Sequence, residues 1–379
     1  MYTKNQKVVL LIFQTPDYGG TRSFFYQLID YLQNRNYQVF LLVKKSEFTE
    51  KVSAYCKNNN INTYVFNKKN LQDVYLTSFW PVKISFLKTY NYIKQILYLR
   101  NLYKKVKPEL TIISQGWPFV WFRGLYIPGK IYFFQHVMPL HPLDKGNKLL
   151  LKIGLLHQRC TFVPVSDFCL NKMRQYWIGN YSNAVTVHNF YEKQLNNSTT
   201  QQLNNSTTLT VIALARVEDG KNPLVWIELA KEILKLRQNI RFLWAGSGSL
   251  VERCRKETEN NENISFIGFQ KDVSELYNKA DIYFVPSKRE SHGISEVGAM
   301  AHSLPVIATS NGGTVESILD GHNGFIVDVT DEEQMIDRLL NLIDSEELRL
   351  KMGKNSKKRW EALFTKEIWE QKLNNLLNI

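Results

Sequence analysis

Residues 285–328 read VPSKRESHGISEVGAMAHSLPVIATSNGGTVESILDGHNGFIVD, and this segment is the most informative about the fold of the second half of the chain. An apolar strand pattern ends in a turn that contains Glu290, and Gly293 then opens a helix pattern. Pro305–Thr309 predicts the next buried strand, and Asn311–Gly313 follows it as a glycine-rich loop. Because the free N–H groups of a helix start attract anions, the segment predicts a phosphate-binding strand–turn–helix unit.

The remaining chain continues the alternation of strands and helices, which predicts an α/β fold with two parallel sheets. At 379 residues the chain is expected to form two domains of about 150 to 200 residues each. The strands are predicted at Val8–Phe13, Gln38–Val43, Asn62–Phe66, Leu110–Ser114, Lys130–Gln135, Thr161–Ser166, Ala184–His188, Thr210–Leu214, Ile240–Trp244, Ile264–Gly268, Asp281–Pro286 and Pro305–Thr309.

The two predicted domains are separated by a polar repeat. The sequence QLNNSTT occurs twice between Gln194 and Thr208 and offers one apolar residue per copy, too few to build a core. The expected division is therefore a first domain at 1–190, a low-complexity linker at 191–208 and a second domain at 209–360.

Composition indicates a globular protein, with 44% hydrophobic and 22% charged residues. No apolar run approaches the roughly 18 residues that a membrane-spanning helix needs. The apolar run Val8–Phe13 is too short for a secretory signal, so the expected location is cytoplasmic. The four cysteines lack metal-ligand spacing, which indicates reduced thiols.

The net charge of +13 lies in the first half of the chain. Residues 1–190 hold 25 Lys and Arg against 8 Asp and Glu, while the rest is slightly acidic. The densest basic segment, Trp80–Pro108, interleaves lysines with aromatic residues, which suits an interfacial helix on an anionic membrane. An amphipathic helix packed on its own domain would show the same periodicity. No nucleic-acid-binding module accompanies the charge, so nucleic acid is not expected as a partner.

The motif Glu290-Ser291-His292-Gly293-Ile294, followed after three residues by Gly298-Ala299-Met300-Ala301, resembles family 4 glycosyltransferases. These are retaining enzymes of the GT-B architecture, whose usual pattern is Glu-Gly-Phe-Gly-Leu, three variable residues, then Glu-Ala-Met-Ala. The resemblance implies two Rossmann-like domains facing a cleft. It also implies a C-terminal helix, at 361–379, that crosses back to pack on the first domain.

The same resemblance implies roles for residues of the second half. Arg216 and Lys221 match the Arg, four residues, Lys pattern that grips the donor diphosphate, and Glu290 matches the acid that orients the donor sugar. The other implied donor-binding residues in this half are Gly246, Gly293, Ile294 and Glu316, of which Glu316 is equally suited to capping or holding the ligand loop.

Two motifs of the first half also resemble the family. Gly19 and Gly20 correspond to the glycine loop after the first strand, whose N–H groups face the diphosphate. His136 follows a predicted strand at the position where the family commonly has a histidine contacting the donor sugar. Considered without the resemblance, a lone histidine such as His136 is more often structural than catalytic.

One position departs from the family pattern. Gly298 stands where the family has its second glutamate, which holds the ribose hydroxyls, and the nearby Glu296 comes two residues earlier. Two helix positions differ by about 200°, so Glu296 is expected to project elsewhere. We expect weakened donor binding, and a gain in donor affinity from Gly298→Glu.

The resemblance implies a hexosyltransferase-type enzyme that moves a sugar from a nucleotide-sugar to a glycan or lipid-linked acceptor in cell-surface polysaccharide synthesis. No metal or other cofactor is expected, because Arg216, Lys221 and the helix start can stabilise the leaving diphosphate. A peripheral contact with anionic lipid on the cytoplasmic face stays open. Two competing interpretations are a catalytically silent GT-B subunit, which Gly298 favours, and a sugar-nucleotide epimerase, for which no acid–base set is evident.

Overall fold

The computed structural model describes residues 7–13, 19–44, 49–66, 97–114, 129–142, 160–179, 183–193 and 208–378. By their contacts these residues form two compact units. The described residues of Met1–Val165 and Cys169–Thr186 make up the first unit, and those of Ser166–Phe168 and Val187–Ile379 make up the second.

The first unit contains a six-stranded sheet in which every described pairing is parallel. Its spatial order is β3-β2-β1-β4-β5-β6, the order of a Rossmann sheet. Strands such as β1 (KVVLLIF) are apolar and buried almost throughout, as expected when helices cover both faces of a parallel sheet. The strands are β1 (Lys7–Phe13), β2 (Tyr37–Lys44), β3 (Asn62–Phe66), β4 (Leu110–Ser114), β5 (Lys130–Gln135) and β6 (Cys160–Pro164).

Helices of the first unit bury apolar stripes against this sheet. In the first helix Phe24, Phe25, Leu28, Ile29 and Leu32 are buried, in the spacing that brings them to one helix face. The described helical segments are Gly19–Gln33, Glu50–Asn58, residues 97–106, Asp167–Met173 and a π-helical turn at Arg174–Ile178.

The second unit repeats the same design. Its six-stranded parallel sheet has the order β12-β11-β10-β7-β8-β9, which is again the Rossmann order read from the other edge. Its core includes an aromatic cluster in which the indole ring of Trp226 meets that of Trp244 edge-on, with centroids 5.2 Å apart. The strands are β7 (Leu209–Leu214), β8 (Ile240–Ala245), β9 (Ile264–Gly268), β10 (Ile282–Val285), β11 (Val306–Thr309) and β12 (Gly324–Val327).

Helices of the second unit connect these strands, and three more helices follow β12. Asp331, Ser345 and Thr365 each cap a helix by accepting a backbone N–H, which explains where the last three helices begin. The helices are Pro223–Leu236, Val251–Thr258, Ser274–Asn278, Ile294–Ala301, Thr314–Ser317, Glu332–Asp344, Glu346–Leu363 and Lys366–Leu377, with a 3-10 turn at Asp219–Lys221.

The predicted strands agree with these bounds to within two residues, with one exception. Ala184–His188 was expected as a strand, but only Ala184 forms an isolated parallel bridge, to Phe162, and the rest is irregular. The α/β fold with two parallel sheets is confirmed. The final helix groups with the second unit, where Trp369 packs on Phe190 with ring centroids 4.8 Å apart. Its expected packing on the first domain stays a prediction.

The basic segment Trp80–Pro108 is described only from residue 97 onward. Within residues 97–106 the apolar stripe Leu99, Leu102, Tyr103 and Val106 is buried in the core of the first unit, as the amphipathic-helix interpretation expects. None of the helices in the described ranges combines the length and the hydropathy that crossing a bilayer requires. The part of the segment before residue 97 lies outside the described residues.

Candidate functional site

The second sheet reverses its strand order between β7 and β10. From β7 the sheet continues through β8 and β9, whereas from β10 it continues through β11 and β12. In open parallel sheets the loops after two such strands diverge and leave a ligand crevice at their carboxyl ends. Residues 215–222 and 286–293 are these two loops, so Arg216, Lys221 and Glu290 all lie at the predicted crevice.

An ion pair joins the two loops. The Lys221 ammonium contacts the Glu290 carboxylate, and the two side chains are only 19% and 18% exposed. The Lys221 ammonium also donates to the Ser287 hydroxyl, at 3.4 Å. The structure thus brings together two of the residues that the sequence singled out separately. Partial burial strengthens the attraction between the charges, because fewer water molecules screen them.

A second set of contacts holds the same loops together. The Lys288 N–H donates to the Gly220 carbonyl at 3.0 Å, and the Lys288 ammonium pairs with Asp219 at 2.7 Å. The two residues that precede Lys221 are therefore tied to the loop that carries Glu290. The cation and the carboxylate are positioned before any ligand arrives, which lowers the reorganisation needed on binding.

The acids next to Arg216 and Lys221 in sequence have other partners. Ser249 donates its N–H and its hydroxyl to the Glu218 carboxylate, at 2.9 and 2.7 Å, and these bonds lower the pKa of Glu218. Asp219 pairs with Lys288. Among residues 208–378, neither carboxylate forms a hydrogen bond or salt bridge with the Arg216 or Lys221 side chain, although the Glu218 backbone carbonyl accepts the Lys221 N–H at 2.9 Å. Arg216 is exposed at the crevice, where a ligand could reach its guanidinium.

The glycine-rich loop after β11 packs on the chain around Glu290. The Glu290 N–H donates to Asn311, the Gly313 N–H donates back to the Glu290 carbonyl at 2.9 Å, and a Cβ on Gly312 would lie 1.9 Å from that carbonyl. The glycines of this loop have a steric role. In the structure they let backbone approach the Glu290 turn, and so they position Glu290.

Gly246 has a comparable steric role. A Cβ at this position would lie 1.9 Å from the Ala215 carbonyl, and its N–H donates to Gly268 at 2.9 Å. The loop after β8 can therefore pack directly on the start of the loop that carries Arg216. Direct donor contact by Gly246 stays a prediction.

The start of helix Ile294–Ala301 contains an acid that the motif comparison did not place. Gly293 is the N-cap residue and no side chain caps the helix. The Glu296 carboxyl folds back over Gly293, so that a Cβ on Gly293 would lie 2.6 Å from Glu296 Cδ. The three-residue spacing between N-cap and acid is that of a capping box, and this was the available sequence signal.

Gly298 is sterically required, contrary to the expectation that a glutamate would be accommodated there. A Cβ at Gly298 would lie 2.6 Å from Tyr277 Oη and 3.0 Å from Tyr191 Cδ2. Tyr277 is almost fully buried and donates its hydroxyl to the Ser295 carbonyl at 2.7 Å, so it cannot move aside cheaply. The space of the expected ribose-binding side chain is therefore occupied by Tyr277.

Glu316 is surrounded by protein donors. Its carboxylate accepts the N–H groups of Asp167 and Phe168, at 2.8 and 2.7 Å, and contacts His188 Nε2 at 2.7 Å. The Lys372 ammonium donates to His188 Nδ1 at 3.3 Å, so Nε2 is the ring nitrogen that donates to the Glu316 carboxylate. In the structure Glu316 accepts hydrogen bonds from residues that group with the second unit, and its contact with the donor stays a prediction.

The three candidate residues of the first unit lie at the carboxyl edge of its sheet. Gly19 and Gly20 open the helix that follows β1, and His136 follows β5. The centroid of the His136 ring lies 4.3 Å from that of Phe24, which is on the helix that Gly19 and Gly20 open. His136 Nε2 is buried and has no hydrogen-bond partner in the described ranges. Burial lowers the pKa of His136 to about 3, so the imidazole is neutral at physiological pH.

In the described parts of the chain, no three His, Cys, Asp or Glu side chains group as metal ligands would. The expectation of metal-independent chemistry stays a prediction. The four cysteines are buried free thiols, and burial raises the pKa of Cys56, Cys160 and Cys254 to about 11.

Residues 196–359, less than half of the chain, match the family described as Glycosyl transferases group 1. The capsular polysaccharide biosynthesis glycosyltransferase CapM of Staphylococcus aureus is 30% identical over 156 residues, which cover 40% of this chain and 41% of CapM. The putative glycosyltransferase EpsD of Bacillus subtilis is 31% identical over 147 residues, or 38% and 39% of the two chains. These matches span about two fifths of the relatives' length.

Solved structures match nearly the whole chain. A glycosyltransferase from Rickettsia africae superposes with a TM-score of 0.80 at 16% identity, over 98% of this chain and 99% of that one. HepE of Anabaena, solved with UDP and glucose, gives a TM-score of 0.74 at 15% identity, over 98% of this chain and 100% of HepE. At these identities the likeness shows the fold, which is that of GT-B glycosyltransferases.

Proposed function

We propose that this chain is a retaining family 4 glycosyltransferase that moves a hexose from a nucleotide-sugar to a glycan or lipid-linked acceptor. The observation that carries the proposal is the Lys221–Glu290 ion pair at the strand-order reversal of the second sheet. It sets a cation for the diphosphate beside an acid for the sugar. The Glycosyl transferases group 1 match of residues 196–359 supports the same reaction class.

The two partners of the ion pair have different roles in the proposed reaction. Lys221 has three N–H donors and can keep one on Glu290 while offering another to a phosphate oxygen. Arg216 adds a second cation at the same crevice. Charge grows on the diphosphate as the sugar bond breaks, so both cations stabilise the transition state more than the bound donor. Glu290 accepts hydrogen bonds from sugar hydroxyls.

Retention follows from attack on the face that the diphosphate leaves. The acceptor hydroxyl approaches that face, and the departing phosphate takes the acceptor's proton as the new bond forms. The positive charges of Arg216 and Lys221 serve where a metal ion would otherwise act. Neutral His136 contributes a hydrogen bond to the donor sugar without adding charge.

The acceptor side is the basic first unit. Arg100, Lys104, Lys105 and Lys107 are exposed, whereas the apolar stripe of the same helix is buried in the core. A contact with anionic lipid on the cytoplasmic face would therefore rest on surface charge, with Leu97 and Tyr98 as the partly exposed apolar neighbours. CapM acts in capsular polysaccharide biosynthesis, which supports a role in cell-surface polysaccharide synthesis.

A catalytically silent subunit is the second candidate, and Tyr277 is the observation that favours it. Tyr277 fills the space where the family's second glutamate would hold the ribose. The pairing of Lys221 with Glu290 favours an enzyme, because a silent subunit has no need of a partly buried ion pair at a ligand crevice.

A donor screen separates the two candidates. The purified chain is incubated with UDP-, GDP- and ADP-sugars, and release of nucleoside diphosphate is measured with and without glycan acceptors. We expect turnover of one donor class, insensitive to EDTA. Glu290→Gln should lower transfer roughly 10- to 100-fold, the scale of a hydrogen bond to a charged group, while nucleoside diphosphate binding stays nearly unchanged. Binding of a donor without any turnover would establish the silent subunit instead.

A further inference from the structure

Glu296 has the surroundings of a functional acid although the glycosyltransferase pattern assigns it no role. It lies in the first turn of helix Ile294–Ala301 and is only 3% exposed. Its Oε2 is buried and has no hydrogen-bond partner among the described residues. A buried carboxyl oxygen without a donor costs free energy, so its presence calls for an explanation.

The geometry directs this carboxyl toward the helix start. It folds over Gly293, within 2.6 to 2.9 Å of where a Cβ would be, so any side chain at this position would displace the carboxyl. The backbone N–H groups of the first helical turn are the same groups that would receive a phosphate. Glu296 is therefore placed directly behind the proposed diphosphate site.

Groups from four neighbouring elements face this carboxyl. Glu290 and Lys221 face it from the two crevice loops, and Tyr277 and Tyr283 face it from the helix Ser274–Asn278 and from β10. The hydroxyl of Tyr277 donates to the Ser295 carbonyl, and that of Tyr283 lies 2.9 Å from Ser295 Oγ, so both are engaged elsewhere.

Burial, reinforced by the Glu290 charge and opposed by Lys221, raises the pKa of Glu296 to about 8. Both tyrosines have pKa values well above 10, also because of burial, and they stay protonated across the same range. Glu296 therefore changes charge just above neutral pH, where both tyrosines keep their protons. In its neutral form it leaves the positive field of the helix start intact, whereas its anion would oppose that field.

We propose that Glu296 is a positioning residue that links nucleoside diphosphate binding to a proton, so that the phosphates bind at this helix start while the Glu296 carboxyl is protonated. The inference rests on the proposed donor site. A bound diphosphate adds negative charge close to Glu296 and favours its protonated form still more. By linkage, above the pH at which free Glu296 ionises, each binding event takes up one proton.

The test is calorimetric titration of the full chain with UDP, GDP and ADP at pH 7, 8, 9 and 9.5. For the nucleotide that binds, we expect wild-type affinity to fall by up to about tenfold per pH unit above pH 8. Glu296→Gln keeps the shape of the carboxylic acid but cannot ionise. The nucleotide affinity of this variant at pH 8 to 9.5 should stay within about twofold of its affinity at pH 7. The variant titrated beside wild type corrects for ionisation of the nucleotide itself.

Two further variants separate this role from a structural one. Glu296→Leu is neutral and apolar and should also lose the pH dependence if it folds. Glu252→Gln alters an 86% exposed acid on another helix and should keep the wild-type profile. In wild type near pH 8 the apparent binding enthalpy should vary with the ionisation enthalpy of the buffer, which reports proton uptake directly, and in Glu296→Gln it should not.

The outcomes are distinguishable. Identical pH profiles in wild type and Glu296→Gln, with nucleotide bound in both, overturn the role of Glu296 and leave the proposed function standing. If no nucleoside diphosphate binds wild type at any pH, the proposed donor site is wrong, and the linkage fails with it.

Discussion

Lys221, in the loop after β7, pairs with Glu290, in the loop after β10, 69 residues further along the chain. The pair bridges the two loops at which the second sheet reverses its strand order. Because the side chains are only 19% and 18% exposed, the two charges are held at the crevice and partly shielded from water. The ion pair therefore holds the two loops together and also places the two residues proposed to act on the donor. Each partner can be tested separately.

Removing either crevice cation should lower turnover while sparing the fold. We expect Arg216→Ala and Lys221→Ala each to lose about 10²-fold or more in kcat, the scale for removing a group that stabilises transition-state charge. Lys231→Ala is the matched control, because Lys231 pairs with Glu228 on the exposed face of the following helix. Steady-state kinetics with the donor identified by the screen measures the effect. Full activity in both crevice variants would remove them from the mechanism.

Substituting Gly298 should destabilise the protein instead of improving donor binding. Any Cβ would lie 2.6 Å from Tyr277 Oη, so we expect Gly298→Ala to cost about 1 to 3 kcal/mol and Gly298→Glu more. Urea unfolding measures the change. Gly220→Ala is the control, since nothing lies within 4 Å of a Cβ there. Tyr277→Phe should relieve part of the cost in Gly298→Ala. Wild-type stability in Gly298→Ala would contradict the packing described.

The free energy of unfolding should depend on pH because the pKa of Glu296 is raised in the folded protein. Its folded pKa of about 8 exceeds the ordinary value, so between about pH 4.5 and 8 the unfolded chain binds fewer protons at this site than the native chain. The contribution of Glu296 therefore lowers stability as pH rises through that range, by at most about 1.4 kcal/mol per pH unit, and changes no further above pH 8. Relative to Glu296→Gln, wild type should lose stability with this slope in urea unfolding without nucleotide. Parallel curves for the two proteins would show that Glu296 is ionised in the native state.

Binding of the first unit to anionic membranes should depend on exposed charge and on salt. We expect the wild-type chain to bind vesicles containing anionic lipid at low salt and to release them at physiological ionic strength, where screening acts within about 8 Å. Changing Lys104, Lys105 and Lys107 to Glu should weaken cosedimentation. The control exchanges Lys231 and Lys235 of the second unit for Glu. No binding of wild type at low salt would favour a soluble acceptor.

Much of the fold could be predicted because its signals are local. The apolar runs of β1 and β7, for example, are bounded by turn residues within a few positions. Strands of a parallel sheet are buried on both faces, so a continuous apolar run is enough to predict them and no alternation of apolar and polar residues is needed. Ala184–His188 shows the limit of such signals. Its apolar residues suggest a strand, but strand formation also needs a partner edge, and only Ala184 finds one.

The two parallel sheets and the loops that carry Arg216, Lys221 and Glu290 could be predicted because short-range periodicity and turn residues encode them. Long-range packing was needed to show that the Lys221 side chain pairs with Glu290 and not with its neighbours Glu218 and Asp219. It also decided that Tyr277 fills the space at Gly298, and that Glu296 is buried with an unpartnered oxygen. Steric exclusion and the charge of a buried acid depend on which atoms surround a residue after packing, and those neighbours come from distant parts of the chain.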